Sequence, residues 1–291
     1  MPNFADIKAS LSLPLIAAPM TGVSGPELVT AACLEGIVGS FPTRNCATLA
    51  ELDQWLESIQ AARAAAAGAG RPSGLVAPNL IIRGNQRLAE DTEALIRHKV
   101  DFVITSVGSP RDVVGPLHDA GIGVFADVAS MHHARRALEA GVDGLVLLTA
   151  GAGGHTGWAN GFAFARAIRA EYQGPVVMAG GISDGAALWA SIVLGCDLAY
   201  MGTRFIATEE SRAAPEYRQA LIDASLDDIE LAIAPNGIPM SAIRGGPGSA
   251  GHSVSGVTRV SSVREVVAET RAEWFAAMES TRSLLAGNVP L

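Results

Sequence analysis

One phrase recurs along this chain: His98-Lys99-Val100-Asp101-Phe102-Val103, Ala120-Gly121-Ile122-Gly123-Val124, Ala140-Gly141-Val142-Asp143-Gly144-Leu145 and Leu194-Gly195-Cys196-Asp197-Leu198. Each closes a helical pattern, usually with glycine at the C′ position, and opens an apolar run that reads as a strand. The strand starts near 101, 122 and 143 lie 21 residues apart, which suits one strand plus one helix joined by tight loops. From Leu15 to about Ser211 such runs alternate with Ala/Leu/Glu/Arg-rich amphipathic segments, a pattern of βαβ units on a parallel sheet. Strands are predicted at 15–19, 36–40, 74–79, 101–105, 121–127, 143–148, 175–179 and 197–201. Helices fall between them at 25–34, 48–66, 86–98, 110–119, 131–140, 162–171 and 184–194, with an eighth after 208. Eight units close a (β/α)8 TIM barrel. A doubly wound open sheet would have fewer strands and a GxGxxG turn after the first; that turn here, Ala17-Ala18-Pro19-Met20-Thr21-Gly22-Val23-Ser24-Gly25, does not match.

The chain has 291 residues, more than such a barrel needs, so the expected organisation is a barrel core at 1–211 that binds the cofactor and an extension at 212–291 packed on it. The extension contains a Gly/Pro-rich stretch, Ala234 to Pro239 and Arg244 to His252, read as a lid loop over the barrel mouth, and a final amphipathic helix at 261–286. With 49% hydrophobic and 17% charged residues the chain can bury a large core. A net charge of −8 without any Lys/Arg block argues against nucleic-acid binding. Cys33, Cys46 and Cys196 lack CxxC spacing, so neither a disulfide framework nor a zinc site is indicated, and a cytoplasmic location is expected. No apolar run reaches the ~18–20 residues that span a bilayer, so no membrane partner is expected.

In a barrel of this kind the active face is the C-terminal end of the strands, and the loops after strands seven and eight commonly hold a phosphate. Both loops here carry glycine: Met178-Ala179-Gly180-Gly181-Ile182-Ser183 and Tyr200-Met201-Gly202-Thr203-Arg204-Phe205. The sixth strand runs into Thr149-Ala150-Gly151-Ala152-Gly153-Gly154-His155-Thr156-Gly157, where glycines let backbone approach a flat ligand and one imidazole stands beside it. The other strand ends at the mouth are Ala18-Pro19-Met20, Asn79, Ser106 and Asp127. One His with one Asp does not ligate a metal, and His132-His133 read as surface, so no metal is expected. No well-placed cysteine or mouth lysine supports covalent catalysis. The mouth reads as a site for an organic cofactor with His155 at its side.

These residues together resemble the nitronate monooxygenase family, formerly 2-nitropropane dioxygenases, FMN-dependent barrel enzymes related to enoyl-ACP reductase II. The likeness rests on Ala18-Pro19-Met20, Asn79, Ala152-Gly153-Gly154-His155-x-Gly157, Ala179-Gly180-Gly181-Ile182, Met201-Gly202-Thr203-Arg204-Phe205 and the late Ser249-Ala250-Gly251-His252 stretch. The resemblance implies FMN as cofactor. Gly180, Gly181, Gly202 and Thr203 would hold its phosphate, and Ala18, Pro19, Met20, Asn79, Gly153, Gly154 and Met201 complete the expected cofactor set. His155 would face the reactive ring as the catalytic residue. The family often has Glu where Gly151 stands and Gln where Leu148 stands. The implied partners are a small nitronate or nitroalkane and O₂, oxidised to a carbonyl compound and nitrite. An FMN-dependent NAD(P)H reductase acting on an enoyl thioester or quinone is the alternative.

Overall fold

The computed structural model describes residues 4–234 and 237–287; Pro235 and Asn236 of the Gly/Pro-rich stretch lie outside the described residues. In chain order the elements are α1 (Phe4–Ser10), β1 (Leu15–Ala17), α2 (Pro26–Leu34), β2 (Val38–Gly39), α3 (Leu49–Gly68), β3 (Asn79–Ile81), α4 (Leu88–Arg97), β4 (Phe102–Ser106), α5 (Arg111–Asp119), β5 (Gly123–Val128) and α6 (Met131–Glu139). They continue with β6 (Gly144–Leu148), β7 (Gly154–His155), α7 (Gly161–Glu171), β8 (Val176–Ala179), α8 (Gly185–Val193), β9 (Leu198–Met201), α9 (Thr203–Ile206), α10 (Pro215–Asp223), β10 (Ile229–Ile233), β11 (Pro239–Ile243) and α11 (Val263–Leu285).

Eight strands form one parallel sheet in the order β2-β1-β9-β8-β6-β5-β4-β3. Bridges Gly39↔Val76 and Pro42↔Asn79 join its two edges and close the (β/α)8 barrel. The third strand was expected at 74–79, but its regular part is Asn79–Ile81. Pro78 faces β4 and supplies no N–H to it, so the upstream half pairs irregularly, with Gly39 N–H to Leu75 O at 2.9 Å and Ala77 N–H to Gly39 O at 3.0 Å on one side and Asp101 N–H to Val76 O at 3.2 Å and Ile104 N–H to Pro78 O at 3.0 Å on the other.

The recurring phrase has a physical basis. Gly121, Gly141 and Gly195 close α5, α6 and α8 in the left-handed region, and Lys99 does the same after α4 at φ 51°. The aspartates that follow tie neighbouring strands at the base of the barrel: Asp101, Asp143 and Asp197 accept from the backbone N–H of Val76, Val124 and Val176 at 2.8, 2.7 and 3.0 Å.

Side chains alternate along each strand between two apolar regions. Ile16, Phe102, Ile104, Phe125, Val146, Val177, Leu198 and Tyr200 fill the barrel interior, with Phe4 of α1 packed against Phe125. Leu15, Val103, Val124, Leu145, Val176 and Met201 face the helices. The last helix, α11, packs between α8 and α2 and so covers β9 and β1, the sector an eighth barrel helix occupies. Gly185 permits this approach, because a Cβ there would run into the α11 backbone at Thr270 and Trp274. The shorter α10 packs instead against a 3-10 turn at His252–Gly256.

The stretch expected as an irregular lid loop is partly regular. β10 and β11 form an antiparallel hairpin, and β11 pairs with β7, with Met240 opposite His155 and Ser241 opposite Gly154. The three strands make a small second sheet beside the mouth. Among the described residues no helix is long and apolar enough to cross a membrane.

Candidate active site

A cavity of about 350 Å³ opens at the C-terminal ends of the barrel strands, within the range of organic-ligand sites. It gathers most of the residues singled out from the sequence: Ala18, Pro19, Met20, Asn79, Gly153, Gly154, His155, Gly180, Gly181, Gly202 and Thr203 all line it. Met201 does not. It is fully buried among the helix-facing residues, because Tyr200 points inward and strand alternation sends its neighbour outward. The carbonyl of Met201 accepts from the Ala18 N–H at 3.0 Å instead, fixing the turn after β1.

That turn is braced from several sides. The Met20 carbonyl accepts from the N–H groups of Val23 and Ser24 and from Asn45 Nδ2 at 3.0–3.2 Å, while Ser24 Oγ accepts from the Met20 N–H. Asn79, buried at the mouth of β3, accepts through Oδ1 from Ser106 Oγ at 3.1 Å. Both side chains are thereby held before any ligand arrives.

The two glycine turns differ in their reasons. Gly180 (φ 123°) presses against Thr149, whose hydroxyl donates to Ala179 O at 2.8 Å. Gly181 (φ 75°) lines the cavity and has open space where a Cβ would stand. A Cβ at Gly202 would meet Ala18 Cβ and Met20 Sδ at ordinary distances of 3.5 and 3.7 Å. Thr203 Oγ1 accepts from the Gly251 N–H at 3.0 Å, so this threonine also pins the late glycine loop.

That loop explains the glycines at 151–153. The Gly251 backbone lies where a Cβ on Gly153 would be, 2.7 Å from the Gly251 nitrogen, and the His252 N–H donates to Gly151 O at 2.9 Å. The imidazole of His252 occupies the space a side chain at Gly151 would need. A residue larger than glycine at 151 is excluded here by His252 and by φ 89° alike. His252 itself is exposed and Trp158 is 85% exposed, and neither lines the cavity, whereas Met240 does.

His155 is half-buried at the cavity wall. Burial, and secondly the positive charge of Arg44, hold its imidazole below the ordinary value. Neutral at pH 7, it is suited to accept a proton. Arg44 comes from a 3-10 turn (Thr43–Asn45) after β2 and stands exposed at the mouth. It was not legible as a site residue, since nothing in its local sequence marks it. Tyr200 was missed as well, although the inward phase of β9 could have found it. Asp127, a strand-end residue in the sequence reading, faces the cavity but lies deep, and burial pushes its carboxyl up to about 7. Among the described residues no group of three or more His, Cys, Asp or Glu side chains could hold a metal ion.

The sequence matches the nitronate monooxygenase family over residues 4–247. The chain belongs to this family. Its members are flavin-dependent oxidoreductases, and this chain is accordingly an oxidoreductase. It is 30% identical over 250 residues to a nitronate monooxygenase of Paraburkholderia phytofirmans, covering 72% of this chain and 67% of that one. It is 27% identical over 235 residues to an octahydroindene-carboxyl-CoA dehydrogenase of Mycobacterium tuberculosis, covering 79% of this chain but only 63% of the relative. Among solved structures, FabK from Thermotoga maritima shares the fold with a TM-score of 0.84 at 22% identity, covering 96% of this chain and 98% of that one. A nitroalkane oxidase from Streptomyces ansochromogenes shares it with a TM-score of 0.82 at 22% identity, covering 94% and 99%.

Proposed function

We propose that this protein is an FMN-dependent nitronate monooxygenase, oxidising alkyl nitronates or nitroalkanes with O₂ to carbonyl compounds and nitrite. The observation that carries the reading is the cavity itself, which sets a neutral imidazole, His155, beside two glycine turns that end adjacent strands of the barrel. The fit to FMN is supported by the open space around Gly181 and the Gly202 backbone, both lining the cavity, and by the apolar walls of Met20, Ile81 and Ile182. Gly180, Gly181, Gly202 and Thr203 would hold the phosphate on backbone N–H groups and a hydroxyl, and Ala18, Pro19, Met20, Asn79, Gly153 and Gly154 would surround the ring. Bound FMN would supply the electron-accepting chemistry and pass the electrons on to O₂.

The remaining steps belong to the protein. A neutral nitroalkane must lose its α-proton, and His155 on the cavity wall would take it, help typically worth ~10²–10⁴-fold. For a preformed nitronate His155 only orients the substrate. Arg44 gives the mouth positive charge and so favours the anion. The pairing of β11 with β7 at His155 would hold the imidazole at the cavity wall. The visible spectrum of the purified protein tests the assignment: a yellow protein that releases FMN on denaturation supports it, and a colourless one that FMN cannot reconstitute refutes it.

One observation favours the alternative, an NAD(P)H-dependent reduction of an enoyl thioester or quinone. A second cleft of about 290 Å³, lined by Arg44, Arg83 and Arg87, adjoins the first at Arg44 and Ile81 and would suit an anionic extension of a thioester substrate.

A further inference from the structure

The floor of the cavity holds two polar groups that the chemistry above leaves unused. Asp127 at the end of β5 and Tyr200 in β9 both line the cavity. Each has a fully enclosed oxygen, Asp127 Oδ1 and Tyr200 Oη, with no hydrogen-bond partner among the described residues. Folded proteins rarely leave such atoms unsatisfied, and each one calls for a partner such as an ordered water, an ion or a ligand, or for a catalytic role. Two of them on one cavity floor mark a place built to bind something polar.

The surroundings narrow what that is. The other charged or titratable groups on the walls are Arg44 after β2, His155 of β7 and Tyr217 of α10. Tyr217 is committed, donating its hydroxyl to Ser249 O. Burial raises the Asp127 carboxyl to about 7, and burial followed by the Asp127 charge raises the Tyr200 phenol well above its ordinary value. Near neutral pH both can therefore donate a proton into a hydrogen bond. A flavin ring has one apolar dimethyl edge and one polar pyrimidine edge, the latter carrying two carbonyls, an acceptor nitrogen and one N–H. Met20, Ile81, Leu148 and Ile182 suit the first.

We infer that Asp127 and Tyr200 bind the polar pyrimidine edge of the flavin, Asp127 donating from its protonated carboxyl, so that loss of the Asp127 proton weakens flavin binding. The inference rests on the flavin reading above. Ionised, Asp127 would set a negative acceptor against the acceptors of the ring. Reduction adds negative charge to the same edge, so ionised Asp127 would also lower the midpoint potential of the bound flavin.

The test is a fluorescence titration of apoprotein with FMN between pH 6 and 8.5, for wild type, Asp127→Asn and Tyr200→Phe, with circular dichroism to verify folding. A carboxyl with a pKa of about 7 that binds only when protonated makes the wild-type Kd rise ~30-fold over this range relative to Asp127→Asn. Taking the ratio cancels the ionisation of the FMN phosphate. Tyr200→Phe should weaken binding at every pH and keep the step. His155→Ala should keep it too, because burial and Arg44 hold that imidazole below its ordinary value, so it stays neutral through the alkaline part of the range where the step falls. The midpoint potentials of wild type and Asp127→Asn should coincide at pH 6 and separate above pH 7, the wild type falling lower. A ratio constant within twofold overturns the inference while leaving FMN binding intact. Wild-type protein that takes up no FMN at any pH overturns the flavin reading and the inference together. If Asp127→Asn fails to fold, Asp127→Ser takes its place, with the same outcomes deciding.

Discussion

Met240 stands directly opposite His155 in the antiparallel ladder between β11 and β7, and both side chains line the same cavity. The catalytic candidate is thus positioned by a segment that lies 85 residues further along the chain, not by its own glycine-rich loop. The Thr156 N–H donates to Pro239 O, so by alternation the Ser241 backbone, opposite Gly154, faces β7; Ser241→Pro removes that ladder N–H and should detach β11 from β7. Turnover should fall ~10²-fold, the scale of a misplacement of about 1 Å, while FMN content stays near wild type. Unchanged turnover in a folded, FMN-loaded variant would show that the hairpin does not position His155.

His155 separates substrates by whether their α-proton is still present. His155→Ala should lower turnover of a neutral nitroalkane ~10²-fold or more and that of the preformed nitronate by much less. In the wild type, kcat/KM for the nitroalkane should fall only on the acid side of the ordinary histidine value of ~6.5, because burial and Arg44 hold the imidazole below it. The neutral form is the active one, so activity is present above that pKa and lost as pH drops through it. Equal losses on both substrates, or an acid limb at neutral pH, would remove His155 from the role of base.

The glycine turns make a graded prediction. Gly202→Ala should keep FMN, since the added Cβ meets only ordinary contacts with Ala18 and Met20, whereas Gly202→Leu should release it. Gly181→Leu combines a strained φ of 75° with added bulk on a loop that lines the cavity, and should weaken FMN binding at least tenfold by fluorescence titration. Full FMN occupancy in both leucine variants would place the phosphate elsewhere.

Much of the barrel was legible because the helix-closing glycine and the strand-opening aspartate recur, and Asp101, Asp143 and Asp197 do the same work at the base of three strand pairs. The cavity residues were legible where glycine or a strand end marked them. Met201 was misplaced because a motif carries no side-chain phase; the alternation that turns Tyr200 inward turns Met201 out. Pro78 hid the split of the third strand. The hairpin was missed although Asn236-Gly237 between apolar runs is a turn signal, because Gly and Pro on either side suggested a loop. Arg44 and the His252–Gly151 contact depend on long-range packing that no local pattern encodes.

The place of α11 in the barrel is also testable. Gly185 is the point where α8 touches the α11 backbone, and a methyl group there has no room. Gly185→Ala should destabilise the protein by ~1–3 kcal/mol, as overpacking does, read as a lower urea midpoint. A variant as stable as wild type would mean that α11 is not packed on the barrel in this way.

The most direct test of the central claim is nitrite release by the FMN-loaded enzyme given an alkyl nitronate in air, without NADH. The account predicts nitrite formed in proportion to the nitronate consumed. It would be contradicted if no nitrite appeared while NADH, added anaerobically, bleached the flavin within turnover time.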